Sequence, residues 1–146
     1  MALDASYNST RYNASEKHRG ICPEGWHIPS GSDWYALMNY VQTDNKSTYT
    51  SGSNASISAK HLKAEGGWKS YGGISNTDAY GFAALPGGSG EAEGSFEEIG
   101  ERGRWWSALE FNNNNAYYSN MYYVNDVAYW NLNSKEYLRS VRCVKE

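Results

Sequence analysis

The chain contains only two cysteines, Cys22 near its start and Cys143 near its end, and neither is flanked by residues that resemble a metal-ligand or redox pair. Read as a disulfide, they close a loop of more than a hundred residues, which stabilises by roughly 4–5 kcal/mol in the chain-entropy treatment when the native geometry is unstrained. Such a bond implies an oxidising compartment. Read otherwise, they are two unrelated buried thiols. The length of 146 residues is close to the commonest domain size, so one hydrophobic core and a single domain spanning residues 1 to 146 are expected.

A net charge of −3 supplies no basic field to draw nucleic acid or an anionic membrane, so neither is an expected partner. Charged residues make up 20% of the chain, against 13 Tyr, 6 Trp and 15 Gly, a balance suited to short strands and packed loops rather than disorder. No apolar run is long enough to span a bilayer, so no membrane insertion is expected. Met1 to Asp4 lacks the basic and apolar regions of a signal peptide, so any export signal is expected upstream.

The strongest local pattern lies in Ser30 to Gln42, where Trp34, Leu37, Met38 and Val41 recur at helical spacing and Ser30 with Asp33 forms a capping-box signature. A second helix is predicted over Ser58 to Glu65, stopped by Gly66 and Gly67. The polar stretch from Thr43 to Ser56 reads as an exposed loop. Beyond Gly67, short aromatic or aliphatic runs alternate with Gly, Asn, Asp and Ser, which predicts strands at Gly81 to Leu85, Arg104 to Glu110, Tyr117 to Tyr123, Val127 to Leu132 and Ser140 to Lys145. Helices first and strands later give an α+β class rather than alternating βαβ units. Ser89 to Arg102, with five glutamates among its glycines, reads as a solvated loop or, less favoured, a cation site.

Four motifs occur in order: Cys22-Pro23-Glu24-Gly25-Trp26-His27-Ile28-Pro29-Ser30 leading into Asp33-Trp34, then Gly81-Phe82-Ala83-Ala84-Leu85-Pro86-Gly87-Gly88, Trp105-Trp106-Ser107-Ala108, and Ser140-Val141-Arg142-Cys143-Val144. Together they resemble the Fibrobacter succinogenes major paralogous domain, a family similar to the C-type-lectin-like fold of formylglycine-generating enzymes. The resemblance runs from about Gly20 to the C-terminus. Residues 1 to 19 match it less well and are expected to be a partial N-terminal extension of an excised domain. It implies a C-type-lectin-like fold, two helices packed on a small twisted antiparallel sheet with long loops. It also implies that Cys22 and Cys143 form the bridge tying the first helix region to the final strand.

A second resemblance concerns residues 110 to 146. Asn112-Asn113-Asn114-Asn115-Ala116-Tyr117, Asn120-Met121, Asn125-Asp126 and the closing Ser140-Val141-Arg142-Cys143 look like the variable region of a diversity-generating-retroelement target protein. In such proteins the adenines of a template, often in AAC codons, are randomised. Substituting those adenines cannot yield Trp, Met, Lys, Gln or Glu, so Met121, Trp130, Lys135 and Glu136 are expected to be invariant. The resemblance implies diversified, ligand-contacting positions at Tyr118, Ser119, Tyr122, Tyr123, Val124 and Val127. Tyr129, Leu132, Tyr137 and Leu138 complete the set.

Physical chemistry reads the same stretch in two ways. Tyr interleaved with Asn and Ser is the composition of a paratope, because Tyr gives rigid contact area at low entropy cost. The other reading is Tyr packing across strands as core. Adjacent pairs such as Tyr117-Tyr118 and Tyr122-Tyr123 put one ring on each face of a strand, which favours exposure of some. The expected function is therefore receptor binding or adhesion through a protein or glycan partner, at the cell surface, outside the cell or on a phage particle. The alternative is a structural or carbohydrate-binding module of a bacterial surface protein with no variable face.

No catalysis is expected, since both cysteines are assigned to the bridge and Ser107 and Ser140 lack a local nucleophile signature. His18, His27 and His61 lack metal-ligand spacing, and no cofactor or metal is expected. The prolines Pro23, Pro29 and Pro86 fall in no calcium-lectin loop, and Val124-Asn125-Asp126 reads better as a turn than as a calcium strand. Acceptor triplets for N-glycosylation at Asn8, Asn13, Asn45 and Asn54 are chance matches in so Asn- and Ser-rich a chain.

Overall fold

A computed structural model of the chain describes residues 17–44, 55–56 and 58–146. The acceptor asparagines Asn8, Asn13, Asn45 and Asn54, the residues 1 to 16, and most of the Thr43 to Ser56 loop lie outside the described residues. The elements in chain order are β1 (Trp26–His27), α1 (Gly31–Asp44), β2 (Ala55–Ser56), α2 (Ala59–Leu62), β3 (Ser89–Gly90) and β4 (Phe96–Glu97). There follow β5 (Arg102–Glu110), β6 (Asn115–Tyr122), β7 (Ala128–Ser134) and β8 (Val144–Lys145). The class is α+β, with two helices and small antiparallel sheets. No described helix is long and apolar enough to cross a membrane.

The main sheet has four antiparallel strands in the order β2-β7-β6-β5. The β5–β6 hairpin turns at the asparagine run, where the Asn112 side-chain oxygen accepts from the Asn114 and Asn115 backbone amides at 2.9 Å each. This is the local side-chain mimicry of a turn for which Asn is suited. One face of the sheet lies under α1. Trp34, Met38 and Val41 from the helix pack with Trp105 of β5, Met121 of β6 and Ala128 of β7. The rings of Trp34 and Trp105 lie 6.3 Å apart, and Phe82 meets Trp34 edge-on at 6.2 Å. Gly103 is required beneath Trp105: a Cβ there would overlap the Trp105 ring and come within 2.8 Å of the Leu85 carbonyl oxygen. The strand admits the large ring because the position two residues before it has no side chain.

The chain ends meet in a separate two-stranded sheet. Trp26 pairs with Lys145 and His27 with Val144, so β8 returns to lie beside β1. Cys22 and Cys143 are bonded, with their Cα atoms 5.8 Å apart and a sequence separation of 121. Around the bridge Ile28, Ala108 and Val141 form a small apolar cluster of their own.

The entry to α1 is a capping box with a third member. The Ser30 amide and hydroxyl donate to Asp33 Oδ2 at 2.8 and 2.7 Å, and the Asp33 amide donates back to Ser30 Oγ at 3.1 Å. His27 Nε2, one residue after Trp26 in β1, lies 3.1 Å from the same carboxylate oxygen. Burial opposes ionisation of Asp33, but the Ser30 bonds and His27 outweigh it and hold the carboxyl below its ordinary value.

Several sequence expectations are corrected by tertiary pairing. The second helix spans only Ala59–Leu62, because the Ala84 amide donates to the Leu62 carbonyl and the Ala64 amide to the Ala84 carbonyl, each at 2.9 Å. The chain leaves the helix at Lys63, ahead of the glycines expected to stop it. Gly81 to Leu85 is not a strand, since Gly81 and Ala83 adopt φ of 65° and 50° and only Ala84 pairs. Ser140 to Lys145 forms a strand only at Val144–Lys145, with Ser140 bridging Trp105. Within the expected solvated loop, β3 pairs β4 and buries Ser89 and Gly90, and Glu98 pairs with Arg102 at 3.0 Å and Arg104 at 2.5 Å.

Two outcomes are expected. Asp33→Ala should cost about 1 kcal/mol in denaturant unfolding, the usual size for a lost cap. Because the native carboxyl is held low, its contribution is present above the unfolded value near 3.9 and lost as pH falls through the lower native value, so the variant should show a flatter acid limb than the parent. Gly103→Ala should cost roughly 1–3 kcal/mol through overpacking against Trp105, with Trp fluorescence reporting the displaced ring.

Candidate ligand-binding surface and its framework

Alternation along the central strand sets which residues point where. Met121 faces α1 with Trp105, while Tyr118 lies on the opposite face beside its register partner Trp106. That second face is not open over its whole length. The segment after β7 folds back across it, through backbone bonds between Leu138 and Gly90 at 2.8 and 2.9 Å and between Ser140 and β5 at 3.0 and 3.1 Å. Gly90 permits the approach, since a Cβ there would come within 2.9 Å of Leu138 Cβ.

The ten expected contact positions therefore divide. Tyr118 is 9% exposed and Ser119 is fully buried, so these two do not lie on a surface of this chain. Tyr118 packs between Trp106 and Tyr137, and Ser119 sits opposite Trp105 on the helix side of the sheet. Tyr122 and Tyr123 meet edge-on at 5.1 Å, and Tyr123 meets Tyr71 at 5.7 Å, which forms an aromatic group at one end of the sheet, half-buried at Tyr122 and Tyr123 and exposed at Tyr71. Val124 and Val127 are half-buried in the β6–β7 loop nearby. Tyr129 accepts from Asn125 Nδ2 at 3.0 Å at the base of that loop. Leu132 and Leu138 are exposed, at 41% and 49%. Leu132 lies toward the hairpin end of β7, away from the Tyr122 group, so the positions do not form one continuous patch.

A buried lysine holds the β6–β7 loop. Lys63 is fully buried, and its Nζ donates to the carbonyls of Tyr122 at 3.2 Å and Asn125 at 2.9 Å while lying 5.2 Å from the Trp68 ring centre. Burial pushes its ammonium below the ordinary value, and Asp126 opposes that shift. The backbone of the loop is thus anchored from beneath through its carbonyls, which every residue type supplies.

Sequence reading missed Lys63 and Arg139. The Arg139 guanidinium lies 3.9, 5.2 and 5.4 Å from the ring centres of Tyr118, Trp106 and Tyr137. Its Nε and Nη1 are buried and have no acceptor among the described residues. Burial lowers its pKa to about 10, opposed by Tyr118. Periodicity could not have found either residue, because both are charged side chains on irregular segments whose partners are distant in sequence. The only sequence signal was a cation beside an aromatic-rich run.

Ser107, His27 and His61, considered for chemistry, have structural partners. Ser107 Oγ donates to the Pro29 carbonyl at 3.1 Å and accepts from the Leu109 amide at 3.0 Å. His27 is taken by Asp33, and His61 Nδ1 lies 3.3 Å from Thr77 Oγ1. Among the described residues no three His, Cys, Asp or Glu side chains converge as metal ligands.

No curated protein matches the chain, and neither does any solved structure. A family model does match, and its match extends from residue 4 to residue 145, reaching well ahead of Gly20. The chain belongs to the Fibrobacter succinogenes major domain family.

Proposed function

We propose that this chain is a non-enzymatic ligand-binding domain of C-type-lectin-like architecture, and that residues 110 to 146 carry a hypervariable contact surface of the retroelement-diversified kind. The ligand is a protein or glycan on a cell surface, and the domain works outside the cell or on a phage particle. The disulfide is compatible with such a location.

The observation that carries this reading is the division of labour within the C-terminal segment. Three of the residues that adenine substitution in AAC codons cannot generate hold the framework: Met121 is fully buried, Trp130 packs on the main core and Lys135 pairs with Glu110. Of the ten candidate positions, eight keep part of their side chains at the surface. Lys63 fixes the β6–β7 loop through backbone carbonyls, so side chains there can change without loss of the anchor. Recognition would rest on rigid aromatic anchors such as Tyr122, Tyr123 and Tyr129, with no chemistry on the ligand. Buried Tyr118 and Ser119 favour the second reading, a structural surface module without a variable face, at those two positions.

The genomic locus separates the readings. We expect a nearby reverse transcriptase and a template repeat differing from this segment only at adenines; a locus with neither overturns diversification. At the protein level, Ser119→Tyr should cost roughly 1–3 kcal/mol or more by overpacking under Trp105, whereas Tyr123→Ala should leave unfolding within about 1 kcal/mol and lower binding of array-identified ligands. Unchanged binding in Tyr123→Ala, Tyr129→Ala and Leu138→Ala alike would assign these three side chains to packing alone.

A further inference from the structure

A cleft of about 220 Å³ opens beside Arg139. Ile21, Ile28 and Val141 give it an apolar wall, and Ile28 and Val141 belong to the cluster around the disulfide. Trp106 and Tyr137 add aromatic surface. Two cations line it, and they differ in one respect. Lys135 is neutralised by Glu110, while Arg139 makes no ion pair with a carboxylate among the described residues. Glu91 and Arg104 act on Arg139 from a distance with opposite signs.

An unpaired guanidinium among rings is an expensive arrangement. Cation–π contact recovers roughly 0.5–2 kcal/mol, but it gives the buried N–H groups no acceptor. Two such nitrogens, Nε and Nη1, stand without one. A carboxylate answers this deficit geometrically, because its two oxygens match the planar fork of Arg. Among the described residues only one positive charge of the cleft is uncompensated, so the fit is to a monoanion. The apolar wall calls for a hydrocarbon body, and a volume below the roughly 300–1,000 Å³ of drug-sized sites limits that body to a small one. A sugar acid would find too few polar partners, since Ser107 is already engaged with Pro29 and Leu109.

We propose that the cleft beside Arg139 binds a small carboxylic acid with an aliphatic or aromatic body, the carboxylate meeting the guanidinium and the body lying against Ile21, Ile28 and Val141. Both unpaired nitrogens are sealed from water, so a carboxylate reaches them only if a neighbouring side chain gives way, and half-buried Tyr137, 5.4 Å from the guanidinium, lines the cleft. Apart from Tyr137 and Leu138, the cleft is built from residues outside the candidate diversified set, so it stands whether or not that segment varies. If the segment varies, Tyr137 and Leu138 give Arg139 a changeable rim.

The test is titration of the folded domain with phenylacetate and 4-methylpentanoate, with their uncharged amides, and with inorganic phosphate, followed through the Trp106 indole N–H and Arg139 Nε–H signals in NMR. We expect millimolar binding of the acids, at least tenfold tighter than the amides, and no comparable effect of phosphate. Arg139→Met should abolish the preference for acid over amide, and Arg139→Lys should restore part of it. Equal binding of acid and amide, no shift at Trp106, or phosphate competing as well as the acids would each overturn the proposal in the parent protein, even if the Met variant fails to fold. A preference that persists in a folded Arg139→Met variant would remove Arg139 from the site.

Discussion

The bond between Cys22 and Cys143 joins the first described turns of the chain to its last strand. On one side it precedes β1 and the capping box of α1; on the other it follows the segment that folds back over the sheet. β1 and β8 contribute only two register pairs, Trp26 with Lys145 and His27 with Val144, and a two-stranded ribbon of that length has no independent stability. The covalent link removes the loop-closure entropy that such a ribbon could not offset, by roughly 4–5 kcal/mol on the chain-entropy model. His27 then extends the effect inward, since its ring and the Ser30 bonds meet on the Asp33 carboxylate at the start of α1. The frame of the domain is therefore one connected object: bridge, end-to-end ribbon, helix cap, and the aromatic core under α1.

What hangs from that frame is the C-terminal segment. Its strands β6 and β7 are central in the sheet and lend their inward side chains to the core, so variation there is limited by packing. Its loop residues 123 to 127 and its return segment 135 to 142 are held mainly through backbone groups and through two charges, Lys63 from α2's end and Arg139 within the return itself. Backbone anchoring tolerates side-chain change in a way that core packing does not. The same contrast explains why Tyr118 and Ser119 lie inside while Tyr122, Tyr123, Val124 and Val127 keep partial exposure on neighbouring positions of one chain.

Where local chemistry dominated, sequence was sufficient. The helical spacing of Trp34, Leu37, Met38 and Val41 and the Ser30–Asp33 signature located α1 within a residue or two at either end. The β5, β6 and β7 runs were legible because each combined β-favouring residues with turn residues at its ends. Legibility failed where distant backbone decided the outcome. The four-residue α2 ends because Ala84 captures its carbonyl, the Gly81 to Leu85 run bends at positive φ, and the glutamate loop supplies Glu98 to two arginines of β5. None of these leaves a periodic trace. The surface was half legible for the same reason: composition marked the Tyr-rich stretch, but which ring of an adjacent pair faces outward depends on what folds over the second face of the sheet, and that is set by Leu138 and Ser140 meeting Gly90 and β5.

On this account the bridge serves the C-terminal segment before it serves the helix. Amide hydrogen exchange of the oxidised domain, compared with a Cys22→Ala, Cys143→Ala double variant under native conditions, measures this directly. Loss of protection should appear first across residues 118 to 138 while Trp34 to Val41 stay protected. If α1 loses protection first, or if both regions open together at the global unfolding free energy, the bridge is a general staple and the segment has no frame distinct from the rest of the fold.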